Sequence, residues 1–399
     1  MKKPVLHIAI PAKDELDYLF HTLQAVSMQT TDFQFYVYVC VNQPEAWWQD
    51  PEKVTICHHN QQMIKQLQDG EEFRVTLLDY SSPGRGWVGK RHGVGWARKV
   101  LFDHILSIAD EDDILISLDA DTLFSENYLQ SIGDNFSQLP DMETLSIPYY
   151  HKLTKDDRTN RAILRYELYM RSWFLNMHRI SSPYTFTAIG SAIALRIRAL
   201  RKIGGITPMK SGEDFYLLQK LRKMSLVHNH NSEVVYPAAR FSDRVYFGTG
   251  PAMIKGATGD WKSYAIYHHS LFDDIADTYQ IIPQLFRENI ETPFTAFLAE
   301  QFRDDDFLTP LRQNAKEFSR FERAFHEKAD GLRILQYIKQ KHEKSNFTDE
   351  QGLCDNFTFF FPKKTPDYLL QPFVLQELST EQLVEVREML FESEKEKRH

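Results

Sequence analysis

The chain has 399 residues, 42% of them hydrophobic and 13% aromatic, and a formal net charge of -8 at pH 7. That much apolar material excludes a disordered chain, and no uninterrupted apolar run approaches the roughly 18 residues of a membrane-spanning helix. The acidic balance excludes a globally basic nucleic-acid binder.

The opening MKK and the apolar VLHIAI have the outline of a signal peptide. The run is too short, however, and leads into PAKDE without a small-residue cleavage site, so it reads as a first strand. Cys40, Cys57 and Cys354 are odd in number and form no close metal-ligand pair. Together these features set the expectation of a reducing, cytoplasmic setting, either free or peripheral to the inner face of the membrane, with no transmembrane segment.

After the first strand come a helical LDYLFHTLQAVSMQ, a strand FQFYVYVCVN, a helix around NQQMIKQLQ, a strand FRVTLLDYSS, a helix VGWARKVLFDHILSIA and the strand-like DDILISLDAD. Short apolar runs alternating with amphipathic helices predict an α/β fold with a mainly parallel sheet covered on both faces. In such sheets ligands gather beyond the carboxyl ends of the strands. Here those ends read PAKDE, VNQPE and LDADT.

The stretch ILISLDADTLF places Asp119 and Asp121 two residues apart. If strand geometry persists to its end, both carboxylates point to one side and reach one ligand. Like charges that close need a positive partner, which a hard divalent cation shared with phosphate oxygens supplies. A solvated strand end is the alternative. Farther on, GEDF opens a helix with Glu213 and Asp214, a pair that also suits an ordinary helix start, where the dipole favours acids.

Between Tyr80 and Lys99 the sequence YSSPGRGWVGKRHGVGWARK sets Lys90 and Arg91 before a glycine-containing helix start. Such a place suits either a diphosphate or a basic loop. Tyr80 and Trp87 either stack on a base or sugar or pack in the fold. Residues 234–253 run from a strand-like VVYP through Arg240, Asp243 and Arg244 to the glycines of FGTG. These form either an active-site loop or a surface ion-pair network. His268 and His269 read as packed or exposed histidines ahead of metal ligands. From residue 256 the pattern turns helical, without a solenoid repeat.

Taken in order, IPAKDE, DAD, and IGGI before GEDF resemble the family 2 glycosyltransferases, nucleotide-sugar transferases of the GT-A fold, over roughly residues 4 to 250. The resemblance implies a GT-A domain in residues 1–255 and a mostly helical region in 256–399. It implies transfer of a sugar from a UDP- or GDP-sugar, with Mn2+ or Mg2+, to the hydroxyl of a glycan, lipid or small-molecule acceptor, with inversion. By the same resemblance Pro11 and Ala12 shape the backbone beside the nucleotide, and Glu15, or Asp14 beside it, and Asn42 hold base and ribose. Lys90 and Arg91 serve the diphosphate. Asp119 lies near the ribose and metal-bound water, Asp121 is the direct metal ligand and Asp214 the catalytic base. Glu213, Arg240, Asp243 and Arg244 are assigned to the acceptor side or its loop. The usual acid at the second strand end is replaced by VNQPE. A nucleotidyltransferase with a related sheet and a non-catalytic nucleotide- or glycan-binding adaptor are the competing expectations.

Overall fold

A computed structural model of the chain describes residues 3–70, 73–230, 232–243 and 248–398. It divides into two compact units. One comprises Met1–Ile163, Phe186–Thr258 and Arg398–His399, the other Leu164–Thr185 and Gly259–Lys397.

The first unit is built on a seven-stranded sheet. Its strands are β1 (Leu6–Ala12), β2 (Phe35–Asn42), β3 (Val75–Tyr80) and β4 (Ile114–Ser117), with β6 (Thr144–Ser146), β7 (Ile193–Arg196) and β8 (Val227–Asn229). The spatial order is β3-β2-β1-β4-β7-β6-β8. The first four strands are mutually parallel, and β7 runs antiparallel to both β4 and β6. Helices α1 (Leu19–Ser27), α2 (Val54–Asp69) and α3 (Val94–Ile108) connect the parallel strands, as parallel pairing requires. All seven residues of β1 are buried, because it is central and covered on both faces. The expected mainly parallel α/β sheet, flanked by helices and followed by a helical carboxyl-terminal region, is therefore what the chain forms.

Register brings the polar strand ends together. Ala12 pairs with Val41 of β2, Asn42 with Tyr80 of β3, and Ala9 with Ser117 of β4. The short β5 (Thr122–Leu123), directly after DAD, pairs antiparallel with β9 (Tyr236–Pro237). The Ala238 N–H then donates to the Asp121 carbonyl at 3.1 Å. That ladder fastens a segment more than a hundred residues away to the DAD turn. Also in this unit lie α4 (Tyr128–Gln138), α6 (Ile197–Lys202), α7 (Glu213–Met224) and α8 (Thr249–Gly256). Helix α5 (Asp157–Arg179) begins in the first unit and continues in the second.

The second unit is helical, from Asp273–Gln280 through Pro293–Phe302, Phe318–Lys328, Gly331–Lys344 and Asp349–Phe360 to Thr380–Glu396. Leu164, Leu168 and Leu175 of α5 share a buried cluster with Ile266, Leu353 and Leu390. Thr348 and Ser379 each close a reciprocal capping box at a helix start, which satisfies two otherwise orphaned backbone donors. His268 bonds Asp355 at 3.0 Å and lies face to face with Phe347, and His269 stacks on Phe359. Both histidines are packing groups. Among the described residues no helix is long and apolar enough to cross a membrane.

Candidate active site at the carboxyl ends of the central strands

Strand β4 stops at Ser117, and the chain turns so that the Asp119 carbonyl accepts the Thr122 N–H at 3.3 Å. Strand geometry therefore does not persist through DAD, and the condition for two carboxylates on one side is not met. Asp119 pairs with Arg98, Asp121 with Arg240. The positive charge that the sequence demanded at this point is present as two guanidinium groups.

Arg98 lies on α3 with its side chain 4% exposed. Its Nε donates to Ser117 Oγ at 3.2 Å, Nη1 pairs with Glu213 and Nη2 with Asp119. Burial works against its charge, but Asp119 and Glu213 outweigh it and raise its pKa. Room for this side chain exists because residue 190 is glycine, where a Cβ would stand 2.1 Å from Arg98 Nη2. A Cβ at Gly95, in the first turn of α3, would fall 2.2 Å from the Met209 carbonyl oxygen. The start of α3 thus packs backbone to backbone on the loop that leads to α7.

Arg98 thereby joins the two acidic motifs, DAD after β4 and Glu213-Asp214 at the start of α7. Gly212 sets that start at a left-handed φ of 74°, a conformation glycine adopts without strain. Glu213 is buried against Arg98. Burial, and behind it the adjoining Glu213 carboxylate, push the Asp214 carboxyl up to about 7 against the pull of Arg98.

Arg240 follows β9. Its Nη2 donates to both carboxylate oxygens of Glu15 at 2.8 Å and also contacts Asp121 Oδ2. Its guanidinium lies 4.2 Å from the centre of the Tyr18 ring. Glu15 and Asp121, 106 positions apart in sequence, thus aim three oxygens at one point. Hard divalent cations take such oxygen ligands, so the chemistry of this donor set fits a metal at the point that the guanidinium occupies. Asp119 fits this role less well, since it is committed to the buried Arg98. Among the described residues no group of three or more His, Cys, Asp or Glu is placed to hold a metal, so the remaining ligands would come from substrate oxygens or water.

Asn42 Nδ2 donates to the Ala12 carbonyl at 3.0 Å, and its Oδ1 accepts from the Trp87 indole at 3.4 Å. Trp87 stacks on Tyr80 with ring centres 4.3 Å apart, so these rings pack on each other. Pro11 and Ala12 are the last residues of β1. Asp14, at a left-handed φ of 57°, bonds His59 at 2.8 Å, and its N–H donates to Asn60. Asn60 and Ser81 both donate to Gln43 Oε1, at 2.7 and 3.0 Å. Lys90 and Arg91 are exposed before α3, with Arg91 over the Trp96 ring. Asp243 is exposed, and Arg244 lies outside the described residues.

Arg98, Gln43 and Asn60 escaped the sequence reasoning. For Arg98 a signal existed. It stands three, four and seven residues before the buried Leu101, Phe102 and Ile105, so it falls on the buried face of an amphipathic helix. A buried guanidinium demands carboxylates. Gln43 and Asn60 carry no comparable pattern.

The sequence matches no family model and no curated protein. Among solved structures, S. aureus TarS residues 1–349 in complex with UDP-GlcNAc is 12% identical, over 91% of this chain and 93% of that one, with a TM-score of 0.42. The mannosyltransferase PcManGT from Pyrobaculum calidifontis, in complex with GDP-Man and Mn2+, is 13% identical over 91% and 89%, with a TM-score of 0.36. Similarity this distant carries no argument about chemistry, which rests on the side chains described above.

Proposed function

We propose that the chain is a metal-dependent glycosyltransferase of the family 2, GT-A type, with residues 1–255 as its catalytic domain. It moves a sugar from a UDP- or GDP-sugar to an acceptor hydroxyl with inversion. The observation that carries this is the Arg98 bridge, which sets the DAD turn beside Asp214. A strand-end carboxylate set for a donor and a carboxyl poised near neutrality then share one neighbourhood.

In this scheme Pro11, Ala12, Glu15 and Asn42 border the nucleoside, while Lys90 and Arg91 face the diphosphate. Asp121, together with Glu15, would hold Mn2+ or Mg2+, and the bound cation would neutralise charge on the departing diphosphate. Asp119, held by Arg98, lies toward the ribose. Glu213 keeps Arg98 charged and raises the affinity of Asp214 for a proton. Asp214 accepts the proton of the acceptor hydroxyl during attack, and a base with a pKa near the working pH does this best. Direct displacement from the face opposite the leaving group inverts the anomeric centre. Asp243 serves the acceptor side, and Arg244, assigned with it, lies outside the described residues. The acceptor is a glycan, lipid or small molecule.

Calorimetry with UDP and GDP, with and without Mn2+, tests this assignment. Asp121→Asn should weaken metal-dependent nucleotide binding by about 1.5–3 kcal/mol, the scale of a lost charged hydrogen bond. Unchanged metal-dependent affinity would remove DAD from the metal site. Nucleotide binding without any turnover across donor sugars and acceptors would favour the adaptor.

A further inference from the structure

The two arginines at this site differ in what holds them. Arg98 is sealed, tied to Ser117 as well as to Asp119 and Glu213. Arg240 is partly open, its side chain 17% exposed and that of Asp121 15%. One nitrogen of Arg240 takes all three carboxylate contacts. Its Nε is buried and has no hydrogen-bond partner among the described residues. The guanidinium is thus held chiefly by charge and by the face of Tyr18, without using its full set of donors. Its backbone stays anchored through the β5–β9 ladder, so the side chain can leave the carboxylates without leaving the site.

We infer that Arg240 is a placeholder cation. It occupies the seat formed by Glu15 and Asp121 while the site is empty and cedes it to the divalent ion when a nucleoside diphosphate arrives. The inference rests on the metal-dependent transferase assignment above. It adds one role, that of Arg240 as the group that couples cation entry to nucleotide entry. Glu15 and Asp121 cannot serve a guanidinium nitrogen and a divalent ion at one point, so the two cations compete. A diphosphate offers the released guanidinium oxygens that match its planar fork. Cation and nucleotide therefore favour each other's binding, and by linkage each does so to the same degree.

Competition of this kind weakens the apparent affinity for the ion alone by the fraction of molecules in which the seat is open. If the seat is open in roughly one molecule in ten or fewer, removing the placeholder tightens binding of the free ion by about tenfold or more.

The experiment titrates Mn2+ into the full-length protein, following free Mn2+ by electron paramagnetic resonance, first alone and then with saturating UDP or GDP. Arg240→Gln should bind Mn2+ alone at least about tenfold more tightly than the wild type, and the gap should shrink once nucleotide is present. Tyr18→Leu keeps all three charges but removes the platform under the guanidinium, and it should tighten Mn2+ alone by a smaller factor. It serves as a second variant should Arg240→Gln fold poorly. If both variants bind Mn2+ alone no more tightly than the wild type, while nucleotide-dependent Mn2+ binding persists and is lost in Asp121→Asn, the placeholder is overturned and the transferase assignment stands. If Mn2+ binds none of these proteins even with nucleotide, both fall together.

Discussion

Two clusters of arginine and carboxylate, one in each unit, use the same chemistry to different ends. In the helical unit Arg171 donates to Glu167 at 2.8 Å and to Glu394 at 2.6 Å, with Arg387 also beside Glu167. All four side chains are at most 1% exposed, and Arg171 is further covered by the ring of Phe391. Charges so enclosed are closed to water and to a ligand. In the sheet unit the Arg98–Glu213 pair is sealed, whereas Asp119, with its side chain 35% exposed, and the Arg240–Asp121 pair, 17% and 15% exposed, meet solvent. The sealed pair holds the turn in place, and the partly open pair can exchange partners. Solvent access, not residue type, separates a structural ion cluster from one that can take a ligand.

The largest effect expected from breaking this contrast is on turnover. Asp214→Asn keeps the shape of the side chain but removes its proton affinity, so it should lower kcat by about 10²–10⁴-fold while leaving nucleotide affinity nearly intact. Steady-state kinetics with an identified acceptor, or donor hydrolysis by water, measures it. Transfer at the wild-type rate would reduce Asp214 to a helix-start residue.

Next comes stability in the sealed cluster. Arg171→Met leaves Glu167 and Glu394 buried with less compensation, and removal of one partner from such a pair costs about 3–5 kcal/mol. Urea unfolding should show that loss. A change below about 1 kcal/mol, the scale of exposed pairs, would mean that water reaches this cluster and that the contrast drawn here is false.

An effect of similar size sharpens the comparison through pH. Asp214 is raised to about 7 by burial and by Glu213, whereas an unfolded aspartate titrates near ~3.9. Between these values the folded state binds the extra proton, so this group's contribution to stability falls as pH rises from about 4 to about 7. Asp214→Asn, which carries no charge, should therefore gain in Tm relative to the wild type as pH rises through that window and hold the gain above it. A parallel Tm profile for both proteins would show that the carboxyl is not raised.

The order of strands and helices up to β4 was legible in the sequence because each strand is short, apolar and bounded by polar or turn residues. Strand β7 was not. Its four buried residues, IALR, pass directly into α6 without a turn residue between them, so the strand and helix periodicities merge. The acidic candidates Glu15, Asp119, Asp121 and Asp214 were legible as residue types at strand and helix ends. Their partners were not.

What the sequence determined by itself is the set of carboxylates and the sheet that gathers three strand ends, since burial patterns and strand–helix alternation are local properties of the chain. What only the tertiary structure decided is which cation each carboxylate meets. Arg98 reaches Asp119 across 21 positions and Glu213 across 115, and Arg240 reaches Asp121 across 119 and Glu15 across 225. Electrostatic pairing depends on distance in space. Local pattern carries no record of that distance until the β5–β9 ladder and the glycines at 95 and 190 have brought the segments into contact.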